Sequence, residues 1–100
     1  MRIIAKRTIS EYGTQNPAAR ASLEHWLRVT KGAIWTSTND VQLAFPKAKV
    51  LNAERVRFEV AGGDFRLICA FNFRREIAFV KFIGTHAEYD RIDALTVSKF

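Results

Sequence analysis

The sequence predicts a single α+β domain over residues 1–100: a small antiparallel β-sheet, N-terminal helices packed on one face, and a short C-terminal helix. Three observations carry that reading. Apolar residues recur at three- and four-residue spacing only in the first half. Strict alternation sets in after Lys49, and the alternating segment runs into a glycine pair. Met1–Ala5 opens as a strand, because the β-branched Ile3 and Ile4 suit a pleated, half-buried surface. A helix is expected from Lys6 to Tyr12, ended by Gly13. Asn16-Pro17 starts the next one: Asn16 can cap exposed N–H groups, and Pro17 suits the first helical position. Ala19, Leu23, Trp26, Leu27, Thr30 and Ile34 form its apolar stripe, with Arg20, Glu24 and Arg28 on the solvated side. Gly32 ends or frays it. The polar cluster from Thr36 to Asp40 caps a third helix, whose buried face is Val41, Ala44 and Phe45 and which Pro46 stops.

In Arg55-Val56-Arg57-Phe58-Glu59-Val60, polar and apolar residues alternate, the mark of a strand with one buried face. Gly62-Gly63 tolerates the positive φ of a tight hairpin turn. Phe65–Phe73 is apolar apart from Arg66 and Asn72, which places it centrally in the sheet. Arg74-Arg75-Glu76 makes the next turn, Ile77–Ile83 the third strand, and a last helical segment runs from about His86 to Leu95.

Length and composition narrow the function classes. The chain is 100 residues with 48% hydrophobic residues, one globular domain rather than a disordered tail. No apolar run approaches the ~20 residues a membrane span needs, and four apolar residues before Lys6 are too few for a secretory leader, so a cytoplasmic location is expected. The lone Cys69 excludes an internal disulfide and a multi-cysteine zinc cage, and within an apolar strand it reads as a buried inert thiol. His25 and His86 lack metal-ligand spacing, and His25 reads as a packing or surface residue. No phosphate loop, dinucleotide fingerprint or nucleophile elbow is present. The net charge of +6 favours a polyanionic partner. Residues 1–50 hold eight basic and three acidic residues, so Arg2, Lys6, Arg7, Arg20, Arg28 and Lys31 are candidates for docking on a nucleic acid or the ribosome, against the alternative of a merely soluble basic surface.

Polar groups near the sheet remain: Arg55, Arg57, Arg66, Lys81, His86 and Tyr89. Arg66 interrupts the most apolar strand, so it must reach an edge, an anionic ligand or a carboxylate such as Asp64, Glu59 or Asp90. Lys81 breaks the third strand in the same way, unless it only snorkels from the rim. His86 opens the last helix with an imidazole suited to proton transfer near neutrality. Tyr89, three residues on, shares its face and offers a phenol. The bland counterpart is a Thr85-x-x-Glu88 capping box with a packed tyrosine ring.

These residues carry a resemblance. Phe82-Ile83-Gly84-Thr85-His86-Ala87-Glu88-Tyr89-Asp90-Arg91-Ile92-Asp93 resembles the C-terminal signature of HigB-type toxins of bacterial toxin–antitoxin pairs, approximately Phe-Val-Gly-Thr-His-x-Glu-Tyr-Asp-Lys-Ile-Asp. The hairpin from Phe58 to Ile68 is similar to that family's Phe-Asn-Ile-x-Gly-Asn-x-Tyr-Arg-Leu-Ile. Glu59 and Asp64 stand at or beside positions where the family carries Asn, which gives Arg66 two carboxylate neighbours. The resemblance implies a RelE-like fold and an mRNA endonuclease acting on the translating ribosome. It also implies silencing by a HigA-type helix-turn-helix antitoxin, and no metal or other cofactor. By position it implies catalytic roles for Arg66, His86 and Tyr89; Lys81 falls where a basic residue is common and is expected to be catalytic too, stabilising the reacting phosphate together with Arg66. Arg55, Arg57 and Arg74 are expected to bind RNA. Two rival readings are a RelE-fold toxin that binds a protein target such as gyrase, and a non-catalytic RNA-binding module.

Overall fold

A computed structural model describes all 100 residues. The chain runs β1 (Arg2–Ile4), α1 (Lys6–Gln15), α2 (Pro17–Gly32), α3 (Thr38–Ala44), β2 (Lys49–Val50), β3 (Arg55–Val60), β4 (Phe65–Asn72), β5 (Ile77–Thr85) and α4 (His86–Tyr89). The five strands form one sheet in the order β1-β5-β4-β3-β2. The three long strands are antiparallel neighbours with β4 in the middle, as its apolar composition predicts. The sheet is nonetheless mixed, because β1 pairs parallel to β5, and the two-residue β2 closes the other edge.

Alternation along β3 turns Val56, Phe58 and Val60 toward the helices. They meet Leu67, Cys69 and Phe71 of β4 and Ala78, Val80 and Ile83 of β5 in one core. Ile9 of α1 and Ala19, Leu23 and Trp26 of α2 cover this face. Trp26 packs edge-on against Phe58 with ring centroids 5.5 Å apart. Burial of this kind is worth ~1.5–3 kcal/mol per large apolar side chain, so the α2 stripe anchors the helical layer. Cys69 is fully buried, and burial pushes its thiol well above the ordinary range, which makes it inert.

Local details correct several expectations. The first helix continues through Gly13 to Gln15, since Gly13 is buried where α1 approaches Arg20 of α2. Asn16 does not cap α2; its side-chain amide donates instead to Tyr12 O at 3.1 Å and closes α1. Ile34 is 78% exposed, because the backbone turns extended at Ala33 and takes it off the helical stripe. Ala44 is exposed, leaving Val41 as the buried residue of α3. The turn after β3 is left-handed at Ala61, Gly62 and Gly63, one residue more than the glycine pair predicts, and Ala61 N–H is held by Ser22 Oγ at 3.1 Å. The last helix stops at Tyr89 rather than reaching Leu95.

Beyond Tyr89 the chain becomes an irregular segment that crosses the second face of the sheet. Arg55 donates from Nη1 to Ala94 O at 3.1 Å and Val97 O at 2.8 Å, and Lys99 N–H donates to Lys81 O at 2.9 Å. Beneath it Ile68 and Phe82 are buried, apart from the main core. This cover is why Ile68 is buried on the same face of β4 as Arg66 and Asn72.

Candidate functional site

The site forms where the β3–β4 turn, the end of β5 and α4 meet. His86 N–H donates to Asp64 O at 2.9 Å, which ties the start of α4 to the turn. The predicted capping box fixes the helix: Glu88 N–H donates to Thr85 Oγ1 at 3.1 Å, and Thr85 N–H donates to Glu88 Oε1 at 2.8 Å. The Thr85 backbone N–H first, and the Thr85 hydroxyl second, hold the Glu88 carboxyl below its ordinary range, with Lys99 and Arg91 adding to the effect. Gly84 is required here, because a Cβ would stand 2.7 Å from Phe82 Cζ and 3.1 Å from Glu88 Oε1.

Arg66 lies opposite Glu59 on β3 and Gly84 on β5. It is 9% exposed, yet no carboxylate oxygen comes within 4.0 Å of it. Of the outlets the sequence leaves open, the ion pair with Asp64, Glu59 or Asp90 is therefore not made. The guanidinium is held by one bond, Nε to Gly63 O at 3.2 Å, and by the Tyr89 ring, whose centroid is 5.7 Å from Cζ. Arg57 approaches the same ring, at 5.8 Å, and its Nε is buried without an acceptor. Two guanidiniums thus share one phenol ring with their charges unneutralised, an arrangement costly in a resting protein and suited to an anion.

His86 stands one helical turn from Tyr89 with its side chain 54% exposed, and its Nε2 is 3.5 Å from Asp90 Oδ1. The imidazole is therefore accessible at the rim. Lys81 is not part of this group. It sits at the β-bulge that shifts the β4–β5 register, and it lines a separate hollow with Arg55 and Arg74. The structure thus gathers Arg57, Arg66 and Tyr89, sets His86 on the same short helix as Tyr89, and parts Arg66 from Lys81. Sequence reasoning missed the central place of Arg57, the Asp90 neighbour of His86, and the covering segment. The strict alternation that puts Arg57 on the same face as Glu59 could have shown the first. No group of three or more His, Cys, Asp or Glu residues stands close enough to hold a metal ion. No helix is long and apolar enough to cross a membrane.

A mixed sheet backed by two helices, with paired arginines and a phenol at one end, agrees with the class that the sequence signature resembles. The chain belongs to the HigB toxin family, described as the RelE-like toxic component of a toxin–antitoxin system, which matches residues 19–92. That span contains Arg57, Arg66, His86 and Tyr89. The chain is also similar to the mRNA interferase HigB of Escherichia coli O6:H1 (strain CFT073), 33% identical over 95 residues, covering 92% of this chain and 91% of that protein. Membership of a toxin–antitoxin family implies an antitoxin partner for this chain.

Proposed function

We propose that this protein is an endoribonuclease that cuts mRNA on the translating ribosome and so arrests translation, held silent by a HigA-type helix-turn-helix antitoxin. The observation that carries the chemistry is the pair of unneutralised guanidiniums, Arg57 and Arg66, flanking the Tyr89 ring, with an exposed imidazole one helical turn away on α4. The name of the E. coli relative supports mRNA as the substrate.

RNA carries its own nucleophile, so the protein need only align and stabilise. In this mechanism the 2′-oxygen attacks the adjacent phosphorus while the bond from phosphorus to the 5′-oxygen breaks. The products are a 2′,3′-cyclic phosphate and a 5′-hydroxyl. Arg66 and Arg57 bind the phosphoryl oxygens, where negative charge grows; guanidinium suits this because it binds in bidentate fashion and stays charged. His86 moves a proton, as base toward the 2′-hydroxyl or as acid toward the leaving 5′-oxygen. Tyr89 orients the phosphate or the base and holds the two arginines in place.

The test is primer-extension mapping of mRNA from programmed ribosomes incubated with the purified chain. Discrete new ends with the unaltered chain, lost with Arg66→Met, are expected. Translational arrest with intact transcripts would overturn the reading in favour of a protein-directed toxin.

A further inference from the structure

The C-terminal segment divides the second face of the sheet. Arg66, Arg57 and Tyr89 lie on one side of the buried Ile68 and Phe82. On the other side is a hollow of about 580 Å³, whose lining includes Arg55, Arg74, Lys81, Phe73 and Phe79. Glu54 is its single carboxylate. Arg74 and Lys81 make no ion pair, and Lys81 Nζ lies 5.6 Å from the centre of the Phe79 ring. Phe73 stacks on the buried Phe71 with centroids 5.3 Å apart, whereas Phe79 is half-buried and stands outside the main core, so it is the Phe79 ring that offers surface to a ligand.

We infer that this hollow is a second nucleotide-binding subsite, taking the base and phosphate of an RNA residue that flanks the cleavage point. Lys81 then holds that flanking phosphate and not the reacting one. Two features single out a nucleotide. An apolar ligand would leave Arg74 and Lys81 unused, and a bare anion would leave the aromatic surface unused; a nucleotide supplies a phosphate and a π-face together. Separation makes the two sites distinct. Arg66 pairs across from Glu59, whereas Ala70 at the hollow lies four residues further along β4, about 13 Å away at ~3.3 Å per residue. One phosphodiester cannot touch both, but one extended strand can. An acidic protein segment would satisfy the cations but has no need of the ring.

This subsite rests on the RNA-cleaving reading of the protein, and its test does not depend on cleavage. The probe is an eight-nucleotide single-stranded RNA, 2′-O-methylated throughout so that its 2′-oxygens cannot attack. The purified chain is titrated with it at several salt concentrations. In the Arg74→Gln, Lys81→Gln double variant, the slope of log affinity against log salt should fall by about 0.7, because the subsite neutralises one phosphate and each single-strand phosphate neutralised contributes ~0.7. Phe79→Leu should weaken binding on the order of tenfold through lost stacking. Melting curves check that the variants fold. Binding by the unaltered chain with no change of slope or affinity in the variants would overturn the subsite alone. The same result with lost retention of a polyglutamate peptide would reassign the hollow to an acidic protein segment. Failure of the unaltered chain to bind the probe would also overturn the subsite, and the cleavage reading is then judged separately by the ends mapped on mRNA.

Discussion

Replacing Arg66 with Met separates a structural arginine from one kept for a ligand. The substitution removes one charged-donor hydrogen bond, to Gly63 O at 3.2 Å, worth about 1.5–3 kcal/mol, and the contact with Tyr89, worth about 1 kcal/mol. It also removes a guanidinium that is 9% exposed with no carboxylate partner, whose desolvation costs several kcal/mol. The two sides nearly cancel, and Met fills much of the same volume between Tyr89 and the turn. Stability should therefore stay level or rise. Cleavage should nonetheless fall ~10²–10³-fold, the usual cost of losing one group that stabilises transition-state charge. The assay is thermal unfolding beside cleavage kinetics on programmed ribosomes. A 1 kcal/mol change moves the melting temperature of a domain this size by roughly 4–8 °C. A fall of more than about 15 °C would refute the reasoning, because Arg66 would then be a strut of the β3–β4 turn.

His86→Gln should slow cleavage by ~10²–10⁴ while leaving the melting temperature in place, since the imidazole is largely exposed; unchanged kinetics would remove His86 from the mechanism. Gly84→Ala should destabilise by about 1–3 kcal/mol, because the new methyl meets the Phe82 ring; wild-type denaturant midpoints would contradict that packing. Glu88 has a folded-state pKa below its unfolded value, so its contribution is complete above the ordinary glutamate range and is lost as pH falls through the lowered folded value. An NMR titration should find the Glu88 midpoint below that range, and Thr85→Ala should raise it. A normal midpoint in the unaltered chain would show that the capping box is not formed in solution.

Much of the layout is legible in local pattern. The α2 stripe from Ala19 to Thr30, the alternation of β3, the central place of β4 and the Thr85–Glu88 box each depend on neighbours a few residues apart, and each is found. The features that escaped depend on distant partners. Nothing in Arg2–Ile4 says that it joins β5 in parallel, because that choice is made by how α1 and α2 fold back over the sheet. The segment after Tyr89 has isolated apolar residues, Ile92 and Val97, with no helical period; it is ordered by Arg55 and by the exposed half of β5. The candidate site divides on the same line. Arg66 is conspicuous as a cation in an apolar strand, but its separation from Lys81 comes from a β-bulge and a covering segment that no motif encodes.

Substrate chemistry offers the sharpest decision about the whole scheme. An mRNA in which the nucleotide 5′ to the mapped cut carries 2′-hydrogen in place of 2′-hydroxyl should resist the protein on programmed ribosomes, whereas the all-ribose message yields fragments ending in 2′,3′-cyclic phosphate. Cutting of the deoxy-substituted message at the same position and rate would contradict the account, because the attacking oxygen would have to come from somewhere other than the RNA.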